Sequence, residues 1–147
     1  LRPSELESKT LVEGLELILR EVSEKSSIVV HFQHDVNELP KLIEEHLFRI
    51  AQEIISNTLR HAKAKHLDVY LLQKETELQL KMTDDGIGFQ QGADDKLSYG
   101  LQNIRERVED MAGTIKIRTA PNKGVAIDIR IPLLKGKEDE CDSSDVD

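Results

Sequence analysis

Glu53, Asn57 and His61 fall at i, i+4 and i+8 within the stretch LFRIAQEIISNTLRHA, residues 47–62. On a helix that spacing stacks a carboxylate, an amide and an imidazole along one side. Leu47, Ile50, Ala51, Ile54 and Ile55 recur beside them at helical spacing, so the polar column borders a buried apolar stripe. Polar groups on a buried border need partners. This helix alone leaves two readings open. Either Glu53 and Asn57 are solvated and His61 is a satisfied half-core histidine, or the three face a site in which hard oxygen ligands suited to Mg²⁺ meet phosphates.

Two glycine-rich stretches follow. Asp84-Asp85-Gly86-Ile87-Gly88-Phe89 comes straight after a strand pattern and reads either as an Asp-Gly turn or as a ligand contact. In the second case the glycines admit a close backbone approach, and a carboxylate fixed at a strand end accepts a hydrogen bond from an exocyclic amine such as that of adenine. Tyr99-Gly100-Leu101-Gln102-Asn103 places a glycine at an expected helix start. It is either a plain N-terminal cap or a point where free N–H groups and the positive dipole end favour a phosphate. Neither stretch is a Walker loop or a dinucleotide fingerprint, because the GK[ST] and the glycine spacing of those motifs are missing.

The elements that must position these residues are legible as periodicity. Thr10 with Glu13 forms a capping box, and Leu11, Leu15, Ile18, Leu19 and Val22 continue it as an amphipathic helix that SEKSS ends. Residues 28–32 read as a strand and 33–38 as a polar turn. Pro40 suits the first turn of the central helix, which runs to Arg60 or His61. Leu67, Val69 and Leu71, then Leu78, Leu80 and Met82, alternate with polar residues across a KETE turn and predict an antiparallel hairpin with one buried face. The stretch QQGADDKLS has no periodicity and reads as a loop. Gly100 opens a third helix on Leu101, Ile104, Val108 and Met111, which Gly113 closes. A second hairpin follows, with Ile115 and Ile117 before the APNKG turn and Val125, Ile127, Ile129 and Ile131 after it. Four or five one-sided strands with about three helices predict an α+β two-layer sandwich, a mixed, mostly antiparallel sheet covered on one face.

Composition excludes several function classes. The chain has 147 residues, the size of one domain, with 38% hydrophobic and 33% charged residues, as in ordinary soluble domains. Aromatic residues make up only 3%, so stacking on nucleobases is not its mode of action. The formal charge of −8, without a basic block, argues against nucleic acid as a partner. About half of that charge sits in residues 135–147, where six acids face two lysines and apolar residues are nearly absent, so this tail is expected to be disordered. Cys141, the sole cysteine, lies there too, so no disulfide is expected and a reducing, cytoplasmic setting fits. No apolar run is long enough to span a bilayer. The start LRPSELESKT is neither a signal nor a transit peptide and suits a linker.

The order of these signals, from polar-edged helix through Asp-x-Gly-x-Gly and loop to the glycine before a helix and the final hairpin, resembles the catalytic ATP-binding domain of bacterial sensor histidine kinases. These belong to the gyrase, Hsp90, histidine kinase and MutL superfamily, with its Bergerat-type fold. The resemblance covers roughly residues 39–133. The wording EIISNTLRHAKA, DDGIGF and YGLQNIRERV is most similar to the kinases paired with LuxR-type response regulators, the VraS/LiaS type that reports cell-envelope stress. It implies that Asn57 binds Mg²⁺ while Glu53 orients the metal or its water, with Arg60 and His61 facing the phosphates. It also implies that Asp84 reads the adenine amine with Gly86 and Gly88 as its glycines, and that Gly100, Leu101 and Asn103 surround the phosphates below a lid at 90–99. Two positions depart from the pattern. Asp85 stands where many members have Asn, and Gly124 is followed by Val125 where a Thr often holds a water near the adenine aspartate.

The resemblance further implies a protein histidine kinase whose ATP and Mg²⁺ serve phosphoryl transfer to a histidine on a dimerisation domain. The expected partners are that domain and a LuxR-type regulator, in a membrane-anchored homodimer. No ELHD-like acceptor segment is present; His31, His34, His46 and His66 read as surface or framework residues. On this reading residues 1–9 are the linker from the dimerisation domain, 10–134 the ATP-binding domain and 135–147 the tail. The alternatives are a serine kinase of the anti-sigma-factor type and a docking domain of the same fold that binds no nucleotide.

Overall fold

The computed structural model describes residues 9–89 and 95–133, apart from the side chains at 61–62 and 95–98. Residues 1–8 of the expected linker, the last residue of the expected domain and the whole expected tail at 135–147 lie outside the described residues, as does the first half of the expected lid. Three α-helices and five strands are present among those described: α1 (Leu11–Lys25), β1 (Val29–Asp35), α2 (Lys41–Asn57), β2 (His66–Lys74), β3 (Glu77–Asp84), α3 (Asp95–Asp110), β4 (Thr114–Thr119) and β5 (Val125–Pro132). A π-helical turn, Thr58–Ala62, extends α2. The sheet order is β1-β2-β3-β5-β4, with β1 parallel to β2 and every other pair antiparallel. This is the α+β architecture the alternation predicted.

The one-sided strands bury Leu67, Val69, Leu71, Leu78, Leu80, Met82, Ile127, Ile129 and Ile131 beneath the helices, while Asp68, Tyr70, Lys81 and Arg130 face away. From α2, Leu47, Phe48, Ile50 and Ala51 are 0–1% exposed, which makes this helix the centre of the second layer. The box at the start of α1 forms in full: Thr10 N donates to Glu13 Oε1 at 3.1 Å and Glu13 N to Thr10 Oγ1 at 3.2 Å. The buried carboxylate of Glu44, on α2, adds a third contact by accepting from Leu11 N at 2.6 Å, and so ties the two helices at their N-termini.

Three boundaries differ from expectation. β1 continues through Asp35, because its ladder with β2 runs to Asp35↔Leu72 and supplies partners for a polar stretch that reads as a turn. α3 starts at Asp95, so Gly100 lies inside the helix and not at its N-terminus. Leu97 sits four residues before Leu101, so the apolar spacing extends one turn upstream and outweighs the low helix propensity of the glycine. Finally, the residue in the left-handed region past α3 is Ala112, at φ 56°, not Gly113.

The α3 terminus is a Schellman arrangement. Gly113 N donates to Val108 O and Ala112 N to Glu109 O, both at 2.9 Å. Gly113 is fixed by packing, since a Cβ there would collide with the Ile131 side chain and the Arg130 carbonyl. Ala112 is exposed and gains nothing from its methyl group. Ala112→Gly is therefore expected to stabilise the domain by about 0.5–1 kcal/mol, read as a higher urea midpoint with unchanged slope, whereas Gly113→Ala lowers it.

Candidate functional site

The C-terminal ends of α2 and β3 meet in one narrow cleft. Ile54, Asn57 and Thr58 come from the helix, Asp84, Gly88 and Phe89 from β3 and the loop after it, and Val125 and Ile127 from β5. Asp84 is buried at 7% exposure, and its Oδ1 accepts from Gly86 N at 2.9 Å. Burial pushes its pKa up. The main-chain N–H groups of Gly86 and Val125 oppose this, the charge of Asp85 adds to it, and the Thr58 hydroxyl also opposes it. Across the cleft, Asn57 has a buried amide nitrogen with no hydrogen-bond partner among the described residues. Which end of the amide is nitrogen follows from the assigned rotamer, so either an N–H or an oxygen is held ready for a ligand.

The loop after β3 is sewn to the β4–β5 turn. Asn122 N donates to Ile87 O at 2.6 Å, Phe89 N to Thr119 Oγ1 at 2.9 Å, and Thr119 Oγ1 to Gly124 O at 3.0 Å. Gly88, at φ 74°, admits the Ala120 carbonyl where a Cβ would sit; Gly124, at φ 73°, admits the Asp84 carbonyl. The cavity itself is about 20 Å³, room for a water or two. Entry of a planar ring there requires the cleft to widen.

A second, open cleft of about 540 Å³ runs between α2 and α3, lined among others by Arg49, Glu53, Asn103 and Arg107. Arg107 is held by a 3.2 Å contact to His46 Nδ1. Gly100 is buried against Glu53, whose carboxylate occupies the space a Cβ would take.

The predicted residues thus divide into groups. Asn57, Asp84 and Gly88 share one cleft, while Glu53, one helical turn from Asn57, faces the adjoining cleft with Asn103. Gly86 contributes its N–H to Asp84. Leu101 and Gly100 line neither cleft, and the open helix start expected at Gly100 is replaced by helix interior. Arg60 lines neither cleft. It is exposed and folded back on Ser56, with Nη2 at 2.6 Å and Nε at 3.1 Å from Ser56 Oγ. The His61 side chain lies outside the described residues.

The donor set fits Mg²⁺. Glu53 and Asn57 offer hard oxygens one turn apart, and no group of three or more His, Cys, Asp or Glu that could hold a metal exists among the described residues. One or two protein oxygens with substrate phosphates completing the shell is the usual Mg²⁺ arrangement.

Residues 43–135 match the family described as histidine kinase-, DNA gyrase B-, and HSP90-like ATPase. The chain belongs to this family. Similar proteins include the sensor histidine kinase LiaS of Bacillus subtilis, 39% identical over all of this chain and 41% of LiaS. The sensor protein VraS of Staphylococcus aureus (strain COL) is 43% identical over 97% of this chain and 40% of VraS. The chain therefore spans about two fifths of these relatives. Among solved structures, the histidine kinase domain of the Erythrobacter litoralis blue-light activated kinase EL346 superposes with a TM-score of 0.68 at 22% identity, covering 84% of this chain and 61% of that one. The Acinetobacter baumannii histidine kinase AdeS gives 0.68 at 16% identity, covering 84% and 65%. These two share the fold. No helix among the described residues is long and apolar enough to cross a membrane.

Periodicity alone left two site features unseen. Thr58 follows Ile50 and Ile54 at four-residue spacing, which places its hydroxyl on the buried stripe. Asp85, next to the buried Asp84, clamps the start of β2: Oδ1 accepts from Lys65 N at 2.8 Å and His66 N at 2.9 Å, and Oδ2 lies 2.7 Å from His66 Nδ1. His66 is thus a framework residue, as expected, with a defined partner. These bonds hold the Asp85 carboxyl at about 2, the His66 side chain being the largest cause. A depressed carboxylate pKa contributes stability above its unfolded value, near 4, and that contribution fades as pH falls toward about 2. Asp85→Ala is expected to cost about 1 kcal/mol at neutral pH, solvent screening limiting the effect, and to flatten the loss of stability between pH of about 4 and 2. Thermal melts across that range, parent against variant, check it.

Proposed function

We propose that this chain is the ATP-binding half of a two-component sensor histidine kinase. In the intact protein it presents Mg-ATP so that the γ-phosphoryl group reaches a histidine on a dimerisation domain. Similarity to the sensor histidine kinase LiaS and the sensor protein VraS supports this reading, and the motif resemblance extends it to a membrane-anchored homodimer in cell-envelope stress signalling, with a LuxR-type regulator receiving the phosphoryl group. The observation that carries the reading is the pairing, in one cleft, of a buried carboxylate with an amide whose buried nitrogen has no partner among the described residues.

Asp84 accepts a hydrogen bond from the adenine amine, with Gly86 N–H and Val125 N–H holding the carboxylate in place. Gly88 lines the same cleft and presents main chain, without a side chain, to the base. Asn57 and Glu53 hold the metal, and Asn103 on α3 meets the phosphate end. The bound Mg²⁺ supplies neutralisation of phosphate charge, so the protein's own share is positioning and not covalent catalysis.

Calorimetry on the whole chain tests this. Mg-ATP is expected to bind with little turnover. Asp84→Asn weakens binding tenfold or more, as for loss of a hydrogen bond to a charged group, about 1.5–3 kcal/mol. Asn57→Ala removes the gain in affinity that Mg²⁺ confers. A chain that binds no nucleotide would instead be a docking domain, and two variants that bind Mg-ATP like the parent would overturn the site.

A further inference from the structure

Thr58 is 4% exposed, one of only three buried polar or charged side chains among the described residues, and it shares the cleft with another of them, Asp84. Its hydroxyl donates to Ile54 O at 3.0 Å, the usual retreat for a threonine on a helix. That acceptor does not need it, because the main-chain N–H of Thr58 already donates to Ile54 O and Ile55 O. A hydroxyl carries one proton on a freely turning bond, and Asp84 is the charged side chain that lines the same narrow cleft. The facing wall cannot substitute. Val125 lines the cleft with an alkyl side chain and gives Asp84 only its main-chain N–H.

We propose that Thr58 is a positioning residue for base recognition: its hydroxyl, turned from Ile54 O to the Asp84 carboxylate, fixes the orientation in which that carboxylate accepts a purine's exocyclic amine. This rests on reading the cleft as a nucleotide pocket. The site's electrostatics agree. Burial and the neighbouring Asp85 both disfavour the charged form of Asp84, and among the described residues the N–H groups of Gly86 and Val125 and this hydroxyl oppose them. The remaining lining residues, Ile54, Asn57, Gly88, Phe89, Val125 and Ile127, carry no charge. The π-helical turn that begins at Thr58 marks where the helix leaves regular geometry beside this carboxylate.

The test compares Thr58→Val, which keeps the β-branched shape, Thr58→Ser, which keeps the hydroxyl, and Thr58→Ala, with thermal melts confirming that each is folded. Calorimetry with Mg-ADP should show affinity about tenfold lower for Val and Ala and within about threefold of the parent for Ser. Independently of any ligand, carbon-13 NMR should show the Asp84 carboxyl titrating at higher pH in the Val and Ala variants than in the parent or the Ser variant. Equal ADP affinities with unchanged Asp84 titration overturn the role of Thr58 and leave the nucleotide reading standing. A parent that binds no ADP overturns the nucleotide reading, and this inference with it.

Discussion

A carboxylate taken out of water as far as Asp84, at 7% exposure, must be met by donors or give up its charge. That requirement organises the cleft. The Gly86 donor demands a tight turn directly after β3, and the Val125 donor demands the β3–β5 register in which Asp84 faces Val125. That register brings the Asp84 carbonyl so near Gly124 that only glycine fits. One buried charge thus constrains a turn, a sheet register and a hairpin glycine, none of which is a ligand contact.

Asp84 and Asp85 are neighbours with opposite electrostatic fates. One is buried and pushed up; the other is half exposed and held at about 2 by three donors at the start of β2. Their tasks separate accordingly. Asp85 pins the chain where it emerges from the π-helical turn, through Lys63 in the left-handed region, and so fixes the end of α2 against the end of β3. Asn57 and Asp84 lie in one cleft because these two chain ends are tied to each other.

The sequence was most transparent where physics is local and repetitive. Alternation fixed which face of β2, β3 and β5 is buried, and the box at Thr10 and Glu13 marked the start of α1. It was opaque where tertiary context overrides a residue's usual habit. Gly100 reads as a helix start but is buried inside α3 because Glu53 needs the space. Gly113 reads as the left-handed cap, yet Ala112 takes that conformation, as Gly113 is held against Ile131. Arg60 has the charge for a phosphate, but it lines neither cleft and folds back on Ser56. Asn57, Asp84 and Gly88, which share the cleft, stood out by type and spacing. Their convergence was not, because it depends on the turn contacts around Asp85 and Thr119 that no periodicity encodes.

The two ends of the site are held by different means, and this sets what each needs from a ligand. Around Asp84 the donors are mostly main chain and the walls apolar, so on the proposed reading a base that offers an amine and a flat face meets them once the narrow cleft opens. Around Glu53 the cleft is lined by two arginines, Arg49 and Arg107, and three carboxylates, Glu53, Glu106 and Asp110. That lining is net negative, with Arg107 further engaged by His46, so it does not by itself attract a polyphosphate. A divalent cation bound there would reverse the sign of the local field. On the proposed reading, the arrangement of charge therefore makes the phosphate end depend on the metal, while the base end depends on one buried carboxylate and the donors that orient it.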